Sequence, residues 1–556
     1  MLKKIRLTKL QLYYVISTCL AVVYAFFVAN SAVFQSDWAA LYLFFDEVMR
    51  LGNISSYYMP PTPALFQVLA YMLPLYLLFG LSNATFYSVI FLQTMVNILA
   101  LAVLLVLLFP VRKNRFPKVA LFVLGLTLTG PLLQIIDAVM FRKDIPLLLL
   151  ALWYLFKMVE VGSLRTLRSK IFTALCVVFL IMQSFGDPYV MYMMLVPLLM
   201  ANVVYVFCKR PRPVRTLWLS VIAVGSVVVA MILRWLTAQY VFNLYSGISA
   251  VGGPRYILPS LLWFLGDIDS MMPFFAVFAP PSFSLSYLLA VINFLVLLLM
   301  TVMIFYVLRL SFVKAHQFVF FLATLPILSS GVYIATHKPA EHMTRYHVLT
   351  AFVVYLIVGY GLVHAQRLGE RTRTWLWGVL AVSLVFQSVI FSRQLYQQLT
   401  NLTENLQIDQ DAELIESLAK HNLTKGYGGY WDASSVTFVT ANERRVRPVK
   451  CFGGEVLPHY WFSFSQWYEA DPSIDRTFLY VRVGEESFTA DCRAEDLRLQ
   501  FGPESELIVL GPGKYLYVWE YDIAVKFNRK NLDESLLFTA DGMSQRFQNL
   551  RNKLER

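Results

Sequence analysis

Long apolar runs, separated by short polar segments, make up the chain as far as residue 392. A helix needs about 20 apolar residues to cross the hydrocarbon core of a bilayer, and most of these runs reach that length. The pattern therefore predicts an α-helical polytopic membrane protein with about 11 transmembrane helices. The predicted spans are 11–32, 84–109, 118–139, 145–160, 170–186, 189–208, 216–236, 284–309, 316–336, 347–366 and 375–392.

The pattern changes at residue 393, where the long apolar runs end. Short alternating runs bounded by glycine and aromatic residues follow, which is typical of a small α/β domain. We therefore expect a transmembrane domain over 1–392 and an extracytoplasmic α/β domain over 393–556. The predicted elements of the second domain are a helix at 401–421, a turn at 426–431 and strands at 435–440, 477–483, 506–510 and 515–521.

Composition excludes an ordinary soluble protein. The chain has 556 residues and is 58% hydrophobic but only 15% charged, whereas soluble domains carry about 45–50% apolar and about 25% charged residues. The net charge is +12, and a nucleic-acid-binding protein would gather such charge in one patch or stripe. Here the cations lie in short clusters between apolar runs. The charge therefore indicates membrane topology, and we expect no nucleic-acid partner.

The basic clusters orient the predicted spans. Clusters at 112–115, 209–215 and 367–373 belong on the cytoplasmic side by the positive-inside rule, as does the basic N-terminus. All of these clusters can be cytoplasmic in a single topology only if the apolar stretch 63–82 does not cross the membrane. We therefore expect 63–82 to lie in the outer interface. The N-terminus is then cytoplasmic and the C-terminal domain periplasmic or extracellular. The outer loops include the first loop, 33–83, and the segment 237–283.

Acidic residues after the first span carry the candidate chemistry. Asp37 begins an amphipathic helical pattern over 38–51. Its carboxylate is an N-cap of that helix or a general base at the membrane surface, and one residue can serve as both. Asp46 is the alternative base, although Asp46 and Glu47 fit solvated or structural positions better. Asp144 is a second candidate active-site carboxylate, or a partner of the lysine before it.

Cations on the outer side need a separate explanation, because the positive-inside rule disfavours them there. They either contact lipid headgroups or clamp a phosphate, which Arg does well through paired N–H donors. Arg345 with Tyr346, at the mouth of a predicted span, is the most useful pair. The outer cations are Arg142, Lys143, Arg255, Lys338 and Arg345.

Histidines are concentrated in one outer segment. Residues 337–347 hold three of the seven histidines, beginning with His337. Pro339 interrupts the helix that would align them, and their spacing matches no metalloenzyme motif. We therefore assign no metal to these histidines and no required cofactor. The sequence leaves open whether Asp37 and its acidic neighbours on the first loop hold a divalent cation.

Several segments over residues 10–395 together resemble the GT-C superfamily of membrane glycosyltransferases, which use polyprenyl-phosphate sugar donors. An acidic residue, Asp37, soon follows the first span, and the helix it begins ends near Gly52. The further matching segments are the proline-rich 58–63, the break at 79–82, the second outer loop at 142–146 and the late Arg-Tyr loop at 337–346.

This resemblance implies a GT-C-like fold that transfers a sugar, with inversion, from a polyprenyl-phosphate donor to an acceptor on the outer face, with Asp37 as base. A departing phosphate needs only cations to hold its charge, whereas a glycosidase needs two positioned carboxylates. The partners would be the lipid-linked donor, a glycan, lipid or protein acceptor, and membrane lipid, in a bacterial inner membrane. Phosphate and substrate would be bound by Arg345, Tyr346, Arg142, Lys143, His337 and Lys338.

Two other functions stay open. An O-antigen-type polymerase or ligase would act on lipid-diphosphate oligosaccharides through outer-loop Arg and His. It would need Arg345 and His337 but not Asp37. A lipid or sugar transporter would carry charged or broken helices at mid-membrane, often with internal repeats. The sequence shows no convincing repeat, and most spans lack central charges.

The C-terminal domain leaves two further alternatives. Its aromatic residues, such as Tyr430 and Trp467, either stack on acceptor sugars or form the domain core. Cys451 and Cys492 both fall in this domain, where an oxidising compartment permits a disulfide. The sequence alone does not bring these two cysteines together.

Overall fold

The computed structural model describes most of the predicted helices and much of the C-terminal domain. The predicted spans 118–139 and 375–392 lie outside the described residues. The described residues are 9–31, 36–51, 57–59, 66, 68–109, 144–161, 166–187, 190–208, 217–240, 243–244, 285–313, 316–336, 348–364, 378, 407–460, 463–483 and 489–527.

Each predicted span that falls on described residues coincides with a helix. Among the described residues, four helices are apolar and long enough to cross a bilayer, at Asn83–Leu108, Leu167–Gly186, Met191–Cys208 and Leu217–Thr237, so the protein is compatible with a membrane location. The helices of this part are α1 Lys9–Ser31, α2 Ser36–Leu51, α3 Leu73–Phe79, α4 Asn83–Leu108, α5 Ile145–Val161, α6 Leu167–Gly186, α7 Val196–Cys208, α8 Leu217–Tyr240, α9 Leu285–Val313, α10 Gln317–Thr336 and α11 Val348–His364.

The loop after α1 carries two short helices. Helix α2 occupies the amphipathic stretch, and α3 follows a π-helical turn at Val68–Met72. That turn and α3 together extend about 18 Å, which is short of the about 30 Å hydrocarbon core. The chain then breaks at Gly80, whose φ is 65°, and Ser82 caps α4 by accepting the N–H of Thr85 at 3.3 Å. Part of 63–82 lies outside the described residues, so the expectation that this stretch does not cross stays a prediction.

The helices pack around one large apolar core, to which α4, α5, α7, α10 and α11 contribute most. Helix α1 lies against α4, where the hydroxyl of Tyr13 donates to the carbonyl of Ala102 at 3.1 Å. Helix α8 exposes apolar side chains such as Trp218, Val221 and Trp235. Lipid tails are as apolar as these side chains, so this surface suits a helix that faces lipid.

A six-stranded sheet forms the centre of the C-terminal domain. Its strand order is β5-β4-β3-β7-β9-β8. Strand β3 is parallel to both β4 and β7, and the remaining pairs are antiparallel. The strands of the protein are β1 Tyr57–Met59, β2 Asn243–Leu244, β3 Lys425–Gly428, β4 Arg445–Phe452, β5 Glu455–Pro458, β6 Ser463–Phe464, β7 Thr477–Arg482, β8 Glu506–Gly511 and β9 Lys514–Trp519.

Helices cover both faces of this sheet. Because successive strand residues point to opposite faces, β7 contributes to two cores. Phe478 and Tyr480 join the core under α12 and α13, whereas Leu479 and Val481 join the core that includes α14. These helices are α12 Gln407–Lys420, α13 Tyr430–Val439 and α14 Ala494–Phe501.

The strand predicted at 435–440 is wrong, because these residues lie in or at the end of α13. Beta-branched residues lower helix propensity only slightly, and the hydroxyls here bond within the helix. Thr437 donates to the carbonyl of Ala433 at 2.9 Å and Ser435 to that of Trp431 at 3.2 Å. Ala433 and Val436 are fully buried against the sheet. Burial of this helical face therefore decides the structure.

The turn predicted at 426–431 is also wrong, because Gly426 and Gly428 lie in β3, a central strand. A Cβ atom at Gly426 would lie 2.5 Å from the ring of Phe478 on the neighbouring strand. Glycine is needed here for a close approach rather than for a turn. The strands predicted near 477–483, 506–510 and 515–521 are confirmed as β7, β8 and β9.

A disulfide joins Cys451 to Cys492, the pairing that the sequence left open. The two Cα atoms are 5.3 Å apart, within the usual range for a disulfide. Cys451 lies in β4 and Cys492 shortly before α14. The bond therefore fixes α14 to the sheet.

A small second sheet connects three distant parts of the chain. Strand β1, in the first loop, pairs in parallel with β2, which follows α8. It also pairs antiparallel with β6, which belongs to the C-terminal domain. Backbone pairing of this kind requires contact. The first loop, the segment after α8 and the C-terminal domain therefore lie on the same side of any bilayer that the helices cross.

Candidate active site

Asp144 lies immediately before α5 and is fully buried. Its φ is 47°, in the left-handed region that few residues other than Gly, Asn and Asp adopt. Its carbonyl accepts the N–H of Leu148 at 2.8 Å, which is the first bond of the helix. The chain therefore turns sharply into α5 at this residue.

Among the described residues, four neutral donors bind the Asp144 carboxylate. Its Oδ1 accepts hydrogen bonds from Asn97 Nδ2 at 2.7 Å, Gln93 Nε2 at 3.4 Å and the Tyr71 hydroxyl at 3.3 Å. Its Oδ2 accepts one from Gln183 Nε2 at 3.3 Å. Burial of a carboxylate is costly unless it is hydrogen-bonded, so these donors stabilise the group. Through them Asp144 joins the first loop, α4 and α6 to the start of α5.

Several buried polar atoms belong to residues of this network or to their neighbours in the sequence. These atoms have no hydrogen-bond partner among the described residues. They are Asn97 Oδ1, Thr94 Oγ1 and Ser184 Oγ. Thr94 and Ser184 directly follow Gln93 and Gln183, which bind Asp144. An unsatisfied buried polar atom costs about 1–3 kcal/mol, and a native protein keeps such atoms for a reason, often a bound molecule. Asn97 Oδ1 belongs to a side chain that binds Asp144, so this amide retains an acceptor with no partner among the described residues.

The network lies at some depth in the helix bundle. Gln93 comes ten residues after Asn83, the first residue of α4, which is about 15 Å along the helix axis. An ionisable side chain at membrane depth is expensive and is usually functional. Asp144 is therefore the described carboxylate with the strongest claim to a functional role.

Asp46 connects the first loop to the C-terminal domain. Its Oδ1 accepts the hydroxyl of Tyr76 at 3.2 Å, and its Oδ2 accepts Asn442 Nδ2 at 2.7 Å. Tyr76 belongs to α3 and Asn442 follows α13. Both carboxylate oxygens are therefore occupied by structural contacts, in agreement with the structural position expected for Asp46.

Glu47 forms a buried ion pair with Arg447 of β4. The carboxylate has no exposed surface, and its Oε1 lies 2.5 Å from Arg447 Nη2. The guanidinium also lies over the ring of Trp467, with Cζ 4.0 Å from the ring centroid. This pair fixes α2 to the C-terminal sheet. Of the solvated and structural positions that the sequence favoured for Glu47, the structure shows the structural one.

These contacts bear on the divalent cation that the sequence left open. Because Asp46 and Glu47 already bind Asn442, Tyr76 and Arg447, their oxygens do not fit a cation site. Among the residues that the structure describes, no three His, Cys, Asp or Glu side chains form a group suited to a metal ion.

The remaining predicted site residues are described in part or not at all. Asp37 is the second residue of α2 and so lies in its first turn, but its side chain lies outside the described part of the protein. The outer cations and the histidine segment also lie outside the described residues, so their contacts stay predictions. These are Arg142, Lys143, Arg255, His337, Lys338, Arg345 and Tyr346.

The aromatic residues of the C-terminal domain form its core. Tyr427, Tyr430, Tyr460, Trp467 and Tyr468 are all buried and belong to one apolar cluster, which also includes residues of α2. The core interpretation is therefore confirmed for these five residues. Phe438 of α13 extends the cluster by contacting Tyr42 of α2, with ring centroids 5.5 Å apart.

Burial shifts the pKa of several titratable groups of this domain, and the side chains of His459 and Asp432 are among them. Burial, aided by nearby Lys450, lowers the pKa of His459 to about 3. Burial raises the pKa of Asp432, although Arg482 opposes the shift with Nη1 2.9 Å from Asp432 Oδ1. His459 is therefore neutral inside the domain at physiological pH.

The amides that bind Asp144 were not singled out in the sequence. Gln93 and Asn97 are spaced i, i+4 in an otherwise apolar span, which places them on one helix face. Gln183 and Ser184 similarly interrupt the end of the apolar run 170–186. Uncharged polar residues in apolar spans were the available signal, and they are less conspicuous than charges.

Comparisons with known proteins add no relative. No protein-family model matches the chain, and no curated protein matches it significantly.

Proposed function

We propose that the chain is a membrane glycosyltransferase that transfers a sugar, with inversion, from a polyprenyl-phosphate donor to an acceptor. The reaction takes place on the side of the membrane that carries the C-terminal domain. The observation that supports this function most is the buried Asp144 network, because it fixes the chain directly after Arg142 and Lys143. In the proposal these two cations help to hold the leaving phosphate.

Asp144 acts as a positioning residue in this reaction. Its carboxylate is already bound by Asn97 and three further donors, so it is poorly placed to take a proton. Its attachment to α4 and α6 fixes the position from which α5 begins. Fixed cations stabilise a developing charge without the cost of reorganisation.

Asp37 is the proposed base. Its helix, α2, is fixed at the other end by the Glu47–Arg447 pair and by Asp46. Asp37 takes the proton from an acceptor hydroxyl. The hydroxyl oxygen then attacks the anomeric carbon from the side opposite the phosphate, and the bond between that carbon and the phosphate oxygen breaks. The bonding electrons leave with the phosphate, whose charge is held by Arg345 with Arg142 or Lys143.

Mass spectrometry of polyprenyl-linked sugars tests this function. Cells carry wild type, Asp37→Asn or Asp144→Asn at equal expression, with Asp475→Asn as a matched control on the exposed surface of the C-terminal domain. We expect a polyprenyl-phosphate monosaccharide to accumulate with Asp37→Asn, because loss of a general base costs about 10²–10⁴-fold in rate. Asp144→Asn should cause a smaller accumulation, and Asp475→Asn none.

Other outcomes separate the alternatives. Accumulation of a lipid-diphosphate oligosaccharide would indicate a polymerase or ligase. An unchanged lipid profile with folded Asp37→Asn protein would remove Asp37 as base and refute the proposed mechanism.

A transporter is the second candidate, and one observation favours it. The Asp144 carboxylate lies beside Gln93, about 15 Å along α4, and buried carboxylates at such depth also serve transport and proton relays. A transporter would move a labelled lipid-linked sugar across vesicle membranes without forming a glycosidic bond. Product formation by the purified protein in detergent, where there is no second compartment, would exclude this alternative.

A further inference from the structure

A cavity of about 330 Å³ lies at the end of the helix bundle away from Asp144. Its walls are the final residues of α4, α5 and α11 and the first residues of α10. Asp144 and the first loop lie at the start of α5, whereas the cavity is lined by residues near the end of this helix. The cavity is therefore separate from the candidate active site.

The cavity combines an aromatic floor with a polar rim. Phe156 and Tyr360 are buried in its floor, and Lys157, Glu160 and His316 lie on its rim. Lys157 Nζ is 2.6 Å from Glu160 Oε2, with about half of each side chain exposed. A lysine ammonium has three N–H donors, so this pair leaves Lys157 able to bind a second anionic group.

His364 completes the rim and is held in a fixed position. Its ring stacks on Tyr360, with centroids 4.1 Å apart, and its Nδ1 lies 3.0 Å from the Tyr360 carbonyl oxygen. The hydroxyl of Tyr306 donates to the His364 carbonyl at 3.3 Å. The rim therefore presents a preorganised imidazole near a lysine, and preorganised groups lose little entropy when they bind.

The sequence indicates which ligand is available at this end. Basic residues at 112–115 follow Phe109, Lys314 precedes His316, and Arg367 follows His364, each within three residues. By the positive-inside rule this end faces the cytoplasmic leaflet. That leaflet carries anionic lipid, and basic pockets between transmembrane helices on this side bind phosphate headgroups.

We propose that this cavity binds the phosphate headgroup of an anionic phospholipid of the cytoplasmic leaflet. Lys157 and the imidazole of His316 donate to the phosphate oxygens. His364 does so in its protonated form, in which Nε2–H donates to phosphate while Nδ1–H donates to the Tyr360 carbonyl. The aromatic floor contacts the glycerol and the first part of the acyl chains. The site is independent of the proposed glycosyl transfer and would hold a lipid whether or not the protein is catalytically active.

Native mass spectrometry of the full-length protein tests this site. Protein purified in detergent is titrated with phosphatidylglycerol or phosphatidylcholine of the same acyl chains. The variant Lys157→Gln/His316→Gln changes two partly or fully exposed side chains, so it should fold. Lys170→Gln is the matched control, because Lys170 is exposed near the start of α6, at the same end of the bundle, but does not line the cavity.

We expect wild type and Lys170→Gln to retain phosphatidylglycerol over phosphatidylcholine, and the double variant to bind phosphatidylglycerol about fivefold less. Equal phosphatidylglycerol binding by wild type and the double variant would overturn the proposal, as would an equal loss in Lys170→Gln. A third titration uses inorganic phosphate. Displacement of bound lipid by millimolar inorganic phosphate would reassign the site to a soluble phosphate compound and overturn the lipid assignment.

Discussion

Asp144 and Glu47 show two ways in which this protein stabilises a buried carboxylate. Asp144 is bound by uncharged donors, such as the amide of Asn97 at 2.7 Å, and Glu47 by the guanidinium of Arg447. Both arrangements leave a neighbouring buried atom without a hydrogen-bond partner among the described residues, Asn97 Oδ1 in the first and Trp467 Nε1 in the second. The Glu47 pair is suited to holding two parts of the molecule together, because it joins α2 to β4.

Arg447→Met should destabilise the folded protein by about 3–5 kcal/mol, because it leaves the Glu47 carboxylate buried without this cation. The double variant Glu47→Gln/Arg447→Met should recover much of that loss, since it removes both charges. Chemical unfolding of the purified protein, followed by tryptophan fluorescence, measures the difference. Equal loss in the single and double variants would show that the pair contributes packing rather than charge compensation.

At the scale of elements, each predicted span that falls on described residues coincides with a helix, and the amphipathic pattern predicted α2. Apolar length is informative because a bilayer imposes a minimum length on a span. Local residue patterns failed for α13 and β3, where burial and close approach outweigh local propensity. Asp144 was singled out from its charge, but its partners Gln93 and Asn97 were not, because uncharged amides give a weaker signal. The Glu47–Arg447 contact joins residues 400 positions apart, which no local pattern reveals.

Gly426→Ala tests the interpretation of β3. The added Cβ would meet the Phe478 ring, buried in the centre of the sheet, at 2.5 Å. We expect a loss of about 1–3 kcal/mol in the free energy of unfolding, typical of overpacking. Gly511→Ala is the control, because its Cβ would meet only Glu413 side-chain oxygens at 3.8 Å. A loss of similar size at Gly511 would show that backbone freedom, and not the close approach, explains the effect.

At the scale of the molecule, one apolar cluster extends from α2 and the first loop into the C-terminal domain. The C-terminal domain therefore packs directly against α2 and the first loop, and the connecting chain is not its sole attachment to them. Asp46 and Glu47 add polar contacts at the same surface. Destabilisation of the C-terminal domain should therefore also destabilise the position of α2, the helix that carries Asp37.

Stability should accordingly depend on pH through His459. Its pKa is about 3 in the folded protein and 6.5 as a model group, so the unfolded chain binds the extra proton between these values. The folded state is then destabilised as pH falls from 6.5 towards 3, by at most about 1.4 kcal/mol per pH unit. The raised pKa of Asp432 acts in the opposite direction. His459→Gln should reduce this slope in unfolding experiments between pH 7 and 5, and an unchanged slope would contradict the assignment.

The small sheet formed by β1, β2 and β6 constrains how the protein is made. Strand β1 leaves the ribosome early, but its antiparallel partner belongs to the C-terminal domain. Glu47 likewise cannot pair until Arg447, 400 residues later, has been synthesised. At about 5–20 residues per second, the time between the synthesis of these two residues is about 20–80 s. During biogenesis the contacts of the first loop therefore stay incomplete until the C-terminal domain has been synthesised. Chains that end before β4 would form α2 yet lack Arg447, the partner of Glu47, and β6, the antiparallel partner of β1.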